Sequence, residues 1–229
     1  ITTKESADME RLITKKIRNF FHRLTSAIIF VPIIIFPIII SGYFLVAVYL
    51  LLLTLIIIEL KNMTDAASSK TPYQFYYLVC ISSFFFFLFL IVAGNNLIIQ
   101  CLETIIIIWL FDTFSYIGGN IIKGKKIFPK ISKGKTYSGL ISGFVITLII
   151  SAIYVNMHTN NEYLFVLYTS IIMILAFLGD VIASMLKRGI DIKDTSNLIP
   201  GHGGVIDRMD SFIFVFFCIG LYEAFLRTL

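Results

Sequence analysis

The sequence predicts an all-α fold, a polytopic integral membrane bundle of about seven transmembrane helices. The first observation is composition: of 229 residues, 58% are hydrophobic and only 14% are charged. A soluble domain usually carries about 25% charged residues, so this chain lacks the charge needed to face water on all sides. The second observation is a series of long apolar runs. The third is the placement of Lys and Arg in the short segments between those runs.

The apolar runs define the individual spans, because a helix that crosses a bilayer needs about 20 mostly apolar residues. The run from Ser26 to Glu59 is too long for one span, and Ser41 and Gly42 interrupt it. We therefore expect a helical hairpin with both ends on one side of the membrane. The other spans are predicted near Tyr73–Val92, Leu97–Ile117, Tyr137–Val155, Tyr163–Leu186 and Ser211–Phe225.

Basic residues predict the orientation of the spans, because loops rich in Lys and Arg stay in the cytoplasm. Four segments share an excess of these residues: 1–25, 60–72, 118–136 and 187–210. The three segments that alternate with them contain no Lys or Arg: 41–42, 93–96 and 156–162. Only Arg227 departs from this pattern. The sequence therefore predicts a cytoplasmic N-terminus.

The net charge does not indicate nucleic-acid binding, and the cysteines do not indicate a metal site. The net charge is +5, but a protein that tracks nucleic-acid phosphates needs a continuous basic surface. Here the cations are divided among short loops, so we expect no nucleic-acid partner. Cys80, Cys101 and Cys218 each stand alone in an apolar run, without the paired spacing of a metal site.

The last basic segment, residues 187–210, and the residues beside it include both acidic and basic side chains, whereas an orientation signal needs only basic ones. Asp180 lies inside the sixth predicted span, where a carboxylate should face a partner or a water-filled cavity. Ser184 and Lys187 follow it at helical spacing and share its face. Asp207 and Asp210 share a face at the start of the last span. If these two helices pack together, three carboxylates converge.

Convergent carboxylates repel one another unless a cation lies between them. Oxygen ligands suit Mg²⁺, which binds through one or two carboxylates and substrate phosphates. Four nearby cations suit phosphate oxygens: Lys187, Arg188, Lys193 and Arg208. Gly203 and Gly204 are expected to bring backbone N–H groups close to a ligand. Simpler interpretations remain open, since Lys187-Arg188 could anchor topology, Asp207 and Asp210 could cap a helix, and His202 could be a turn residue.

These residues form a pattern that resembles the signature of the phosphatidate cytidylyltransferases, also called CDP-diacylglycerol synthases. The matched positions are Ser184, Lys187, Arg188, Lys193, Asp194, Pro200, His202, Gly203, Gly204, Asp207, Arg208 and Asp210. A second segment, Pro129 to Gly139, is similar to another family motif and contributes Lys133, Lys135 and Thr136. Asp112 matches a family aspartate in the preceding span.

The resemblance implies transfer of CMP from CTP to phosphatidate at the cytoplasmic face of a bacterial inner membrane. It implies Mg²⁺ on Asp180, Asp207 and Asp210, and leaves a second cation and a homodimer open. The substrate-binding set would be Asp112, Lys133, Lys135, Thr136, Ser184, Lys187, Arg188, Lys193, Asp194, His202, Gly203, Gly204 and Arg208. The chain would divide into a basic segment (1–25), N-terminal transmembrane helices (26–111) and a catalytic transmembrane region (112–229).

Two other functions are weighed against this one. A related membrane enzyme that phosphorylates a lipid such as a polyprenol would also need Mg²⁺ and phosphate-binding cations. An ion-coupled transporter could use Asp180, Glu103 and Glu223 as intramembrane coupling sites, because ionisable residues inside spans are usually functional. The transporter interpretation does not explain the His-Gly-Gly segment.

Overall fold

The computed structural model describes residues 36, 42–92, 95–132, 134–158, 162–196, 198 and 203–226. Their regular structure is six long helices: α1 Gly42–Ala66, α2 Thr71–Val92, α3 Asn95–Ile121, α4 Tyr137–His158, α5 Glu162–Gly189 and α6 Ile206–Leu226. Each is long and apolar enough to cross a membrane. The prediction of an all-α, multi-pass membrane protein is therefore confirmed. Segment 1–25 and, apart from residue 36, the first predicted span lie outside the described residues.

The helices bury apolar side chains on one side and expose equally large ones on the other. Phe75, Leu78 and Phe85 of α2 are each more than 60% exposed. On the inner side, Phe87 of the same helix packs against the Phe216 ring with centroids 4.7 Å apart. A helix that is apolar all round is stable only when lipid or protein surrounds it completely. The exposed rings and aliphatic chains are therefore the surface that faces acyl chains.

Two helices extend beyond the apolar spans predicted for them, and both extensions contain acidic residues. The helix α1 continues past Glu59 to Ala66, and α6 begins at Ile206 instead of Ser211. The predicted spans follow the apolar runs, the second of which ends at Glu59 and the last of which begins at Ser211. Glu59 and Asp207 accept hydrogen bonds from nearby protein donors. A carboxylate satisfied in this way can lie within a helix.

Small residues bring α3 and α4 into close contact. A Cβ atom on Gly139 would lie 2.6 Å from the Ser115 carbonyl oxygen, and one on Gly143 would lie 2.0 Å from Ser115 Oγ. On the α3 side, Gly119 lies against Gly139. Membrane helices associate through such stripes of small residues, because lipid supplies no hydrophobic driving force between them. This packing fixes the C-terminal end of α3 beside the N-terminal end of α4.

A second close contact joins α5 to α6. A Cβ atom on Gly179 would lie 2.9 Å from the Asp210 carbonyl oxygen and 2.7 Å from Phe214 Cβ. Only glycine allows the two backbones to approach this closely. Since Asp180 follows Gly179, its carboxylate is brought next to the start of α6. The ends of α3 and α5 thus meet the starts of α4 and α6 at one end of the bundle, which we call the cavity end.

Candidate active site

The cavity end contains a cavity of about 850 Å³ between α3, α4, α5 and α6. Its charged lining residues come from five different parts of the chain: Asp112, Lys135, Asp180, Lys187, Asp194, Asp207, Arg208 and Asp210. The structure thus brings together the three aspartates that were predicted to converge. It also places cations among them, as a site for a polyphosphate requires.

Asp207 is largely enclosed by neighbouring groups. Lys187 Nζ lies 2.6 Å from its Oδ1, and the Asp207 side chain is only 4% exposed. Its Oδ2 accepts hydrogen bonds from the Thr195 N–H, the Thr195 hydroxyl and the Gly204 N–H, at 2.8, 3.0 and 2.8 Å. Lys187 was predicted to share a face of its helix with Asp180, and its ammonium group is paired with Asp207 on the neighbouring helix.

Asp180 is more open. Lys135 Nζ lies 2.7 Å from its Oδ2, and 35% of the Asp180 side chain is exposed. The Ser184 hydroxyl donates to its Oδ1 at 3.3 Å, one helical turn further along α5. Lys135 also lies over the Phe177 ring, 4.9 Å from the centroid. This second lysine–aspartate pair therefore faces the cavity with room for a ligand.

Lys135 reaches Asp180 because the α3–α4 connection, residues 122–136, folds back on itself. The Ile127 N–H donates to the Lys135 carbonyl at 3.0 Å, and the Tyr137 N–H donates to the Lys125 carbonyl at 3.1 Å. The Thr136 hydroxyl accepts the Gly139 N–H at 3.1 Å, as an N-cap residue does. Thr136, predicted to bind substrate, therefore lines the cavity while also capping α4.

Asp112 and Asp210 complete the acidic group. Asp210 Oδ1 accepts the Ser211 N–H at 2.9 Å, and both Asp180 and Asp210 are close enough to Asp112 to interact with it electrostatically. Within the described part of the chain, no three Asp, Glu, His or Cys side chains already surround one point as metal ligands. Mg²⁺ typically needs only one or two carboxylates besides substrate phosphates and water, and this donor set fits that requirement.

Glu59 was missed as a site residue. It lies within α1, is 1% exposed, and accepts four hydrogen bonds from the α5–α6 connection, residues 190–205, and the first residue of α6. The donors are the hydroxyls of Thr195 and Ser196 and the N–H groups of Val205 and Ile206. An acidic residue in an apolar run was the available signal, but it was interpreted as the end of a span.

The two glycines pack tightly against neighbouring groups of the protein. The Gly204 N–H donates to Asp207 rather than pointing at a ligand. A Cβ atom on Gly204 would lie 2.0 Å from Thr195 Oγ1 and 2.4 Å from Glu59 Oε1. Gly203 has a φ of +87°, which residues with a Cβ rarely adopt. The glycines therefore let the backbone approach the two carboxylates.

Comparison with known proteins identifies the family of this chain. A model of the cytidylyltransferase family matches residues 2–226. The chain belongs to the cytidylyltransferase family. It is similar to the phosphatidate cytidylyltransferase of Rickettsia prowazekii (strain Madrid E), with 44% identity over 129 residues, 51% of this chain and 56% of the relative. It is also similar to that of Bacillus subtilis (strain 168), with 36% identity over 124 residues, 52% of this chain and 46% of the relative. The chain spans about half the length of the curated relatives it matches.

The remaining residues matched to the family signature lie around the cavity in different ways. Asp194 and Arg208 line it. Arg188 instead holds the connections together, because its guanidinium donates to the carbonyls of Ile131 and Ile192 at 3.0 and 2.7 Å. Lys193 is exposed and is not among the residues that line the cavity. The predicted contributions of Lys133 and His202 lie outside the described residues.

Proposed function

We propose that this protein transfers CMP from CTP to phosphatidate, producing CDP-diacylglycerol and pyrophosphate. The observation that carries the proposal is the cavity, which gathers carboxylates and cations at one end of a membrane bundle. Membership of the cytidylyltransferase family and similarity to phosphatidate cytidylyltransferases supply the reaction class. We also propose that the cavity end faces the cytoplasm of a bacterial inner membrane, because the basic loops flank it.

In the proposed reaction, a phosphate oxygen of phosphatidate attacks the α-phosphorus of CTP. The bond from the α-phosphorus to the bridging oxygen breaks, and the pyrophosphate leaves with that electron pair. Phosphatidate supplies its own nucleophile, so the protein's task is to position two anions and offset their charge. Lys135, Lys187 and Arg208 line the cavity and would hold the phosphates.

We assign Mg²⁺ first to Asp180 and Asp210, with Asp112 nearby. When bound, the ion would neutralise phosphate charge as it shifts to the leaving group. Asp207 remains a predicted third ligand, but its Oδ1 is paired with Lys187. For Asp207 to bind the ion through that oxygen, Lys187 would have to exchange the carboxylate for a phosphate oxygen. Such an exchange would couple nucleotide binding to metal binding.

The cavity combines this charge with an apolar wall, which suits a lipid substrate. Trp109, Leu140, Phe177 and Phe212 line it beside the carboxylates. A phosphatidate head group could reach the charged residues while its acyl chains remain beside apolar side chains.

The decisive experiment measures Mg²⁺-dependent release of pyrophosphate from CTP by the purified protein in detergent. We expect release only when phosphatidate is present, and loss of release when the metal is chelated. CTP labelled in the α-phosphate should give a labelled lipid, whereas CTP labelled in the γ-phosphate should not. The opposite labelling result would indicate a lipid kinase, and release without lipid would contradict the proposal.

A further inference from the structure

Glu59 lies outside the cavity, but it accepts hydrogen bonds from the chain segment that leads into the candidate active site. It lies in α1, about two helical turns before the end of that helix, and it is not among the residues that line the cavity. A buried carboxylate inside a span is costly, so its partners indicate its purpose. All four of its hydrogen-bond donors lie between Thr195 and Ile206.

Each carboxylate oxygen of Glu59 accepts one hydroxyl and one backbone N–H. Oε1 accepts the Ser196 hydroxyl at 2.6 Å and the Val205 N–H at 2.9 Å. Oε2 accepts the Thr195 hydroxyl at 2.9 Å and the Ile206 N–H at 3.0 Å. Each oxygen thus joins one donor near the beginning of this segment to one donor at its end. The carboxylate closes the α5–α6 connection into a loop.

Both described ends of this loop contact Asp207. The Thr195 N–H donates to Asp207 Oδ2, and the single hydroxyl proton of Thr195 is shared between Asp207 Oδ2 and Glu59 Oε2. Gly204 donates to Asp207 while its α-carbon packs against the Glu59 carboxylate. Lys187 is held in turn by Asp207 Oδ1. The chain of contacts therefore runs from Glu59 through the loop to two residues that line the cavity.

We infer that Glu59 is a positioning residue, which fixes the α5–α6 connection so that Asp207 and Lys187 keep their places in the cavity. The inference rests on the proposed function. Glu59 does not touch the reacting groups, so its effect on turnover passes entirely through the loop. A carboxylate that merely stabilised the fold would affect unfolding but leave the kinetics of folded molecules unchanged.

The principal test is Glu59→Gln, which keeps the size of the side chain and replaces one acceptor oxygen by an NH₂ donor. Whichever oxygen is replaced, a backbone N–H would then face another donor, and it cannot rotate away. We expect kcat per folded molecule to fall at least tenfold, measured well below the unfolding temperature of the variant. Glu103→Gln is the matched control, because Glu103 also lies within a span but bonds Tyr154 away from the cavity. We expect its kcat to stay within twofold of the wild-type value.

Hydrogen exchange supplies a measurement that does not depend on activity. In Glu59→Gln, the amides of Val205 and Ile206 should exchange at least tenfold faster, while peptides from the α3–α4 connection should exchange at the wild-type rate. Faster exchange throughout the protein, with a wild-type kcat for the folded fraction, would show a purely structural role and overturn the inference. If the wild-type protein does not consume CTP, the proposed function fails, and local exchange still tests the loop.

Thr195→Val covers the case in which Glu59→Gln does not fold. This nearly isosteric change removes the hydroxyl bonds to both carboxylates and keeps the N–H bond to Asp207. We expect kcat to fall threefold or more. Where both variants fold, the combination with Glu59→Gln should be less damaging than the product of the two single effects, because the shared contact is lost only once. A wild-type kcat for Thr195→Val would contradict the inference.

Discussion

Two lysine–aspartate pairs line the same cavity, and they differ in how completely the protein surrounds them. In the closed pair, Lys187 and Asp207 have side chains 10% and 4% exposed. In the open pair, Lys135 and Asp180 have side chains 16% and 35% exposed, and among the described residues only Ser184 supports the carboxylate further, at 3.3 Å. A buried pair is costly to break, because the remaining charge is left without a partner. A more exposed pair contributes little to stability and can exchange partners.

The difference in exposure suggests that the closed pair and the open pair have different roles in one site. The closed pair is part of the framework, since Asp207 also accepts three hydrogen bonds from the α5–α6 connection and its flank. The open pair can release its lysine to a phosphate and its carboxylate to a cation with little disturbance to the fold. Substitutions in the two pairs should therefore separate stability from activity.

The largest effect is expected for Asp207→Asn, which leaves Lys187 buried without its counter-charge. Turnover should fall below detection, and the free energy of unfolding should drop by about 3–5 kcal/mol. Unfolding of the purified protein in detergent measures this drop in the free energy of unfolding. Adding Lys187→Met should restore much of the stability and none of the activity. Wild-type stability of the single variant would show that the pair is not part of the framework.

Asp180→Asn should lower turnover strongly while changing the free energy of unfolding little. We expect turnover to fall at least 100-fold, because a ligand proposed for Mg²⁺ is lost. The free energy of unfolding should change by less than about 1 kcal/mol, as for partly exposed pairs in general. Pyrophosphate release at increasing Mg²⁺ concentrations checks the assignment, and the Mg²⁺ requirement should rise. Ser184→Ala is the control, and it should lose less than tenfold. A destabilisation as large as that of Asp207→Asn would remove the distinction between the pairs.

Lys135→Met should have a smaller effect on the open pair. The methionine retains an unbranched apolar chain beside Phe177 but removes the cation. We expect a 10- to 100-fold loss in kcat/KM for CTP, with the protein as stable as wild type. Steady-state kinetics at varied CTP concentrations provide the measurement. If Lys135 served only to neutralise Asp180, adding Lys135→Met to Asp180→Asn would cause no further loss of kcat/KM, and we expect a further loss.

Much of the fold could be predicted from the sequence, because lipid imposes a simple rule on each span. Twenty apolar residues in a row need no knowledge of neighbouring helices to be recognised as a span. Within α5, helical spacing also placed Ser184 beside Asp180, and the two are hydrogen-bonded. These are local relationships, which are fixed by a few residues of one helix.

Contacts between distant segments could not be obtained in this way. Glu59 and Thr195 are separated by 136 positions, and nothing in the spacing of either segment indicates that they meet. The same limit explains why the pairing of Lys187 with Asp207, on another helix, was not predicted. Family resemblance gave the members of the site, whereas their pairing depends on how α1, α5 and α6 pack.

Glycine substitutions provide the finest test of the comparison, because glycines lie near both pairs. A Cβ atom on Gly204, beside the closed pair, would meet Thr195 Oγ1 at 2.0 Å and Glu59 Oε1 at 2.4 Å, whereas one on Gly134, next to Lys135, would meet nothing within 4 Å. Gly204→Ala should therefore lower the free energy of unfolding by about 1–3 kcal/mol, the usual cost of overpacking. Gly134→Ala should leave it unchanged. Equal stabilities of the two variants would mean that the loop around Asp207 can relax, and the closed pair would then be no more rigid than the open one.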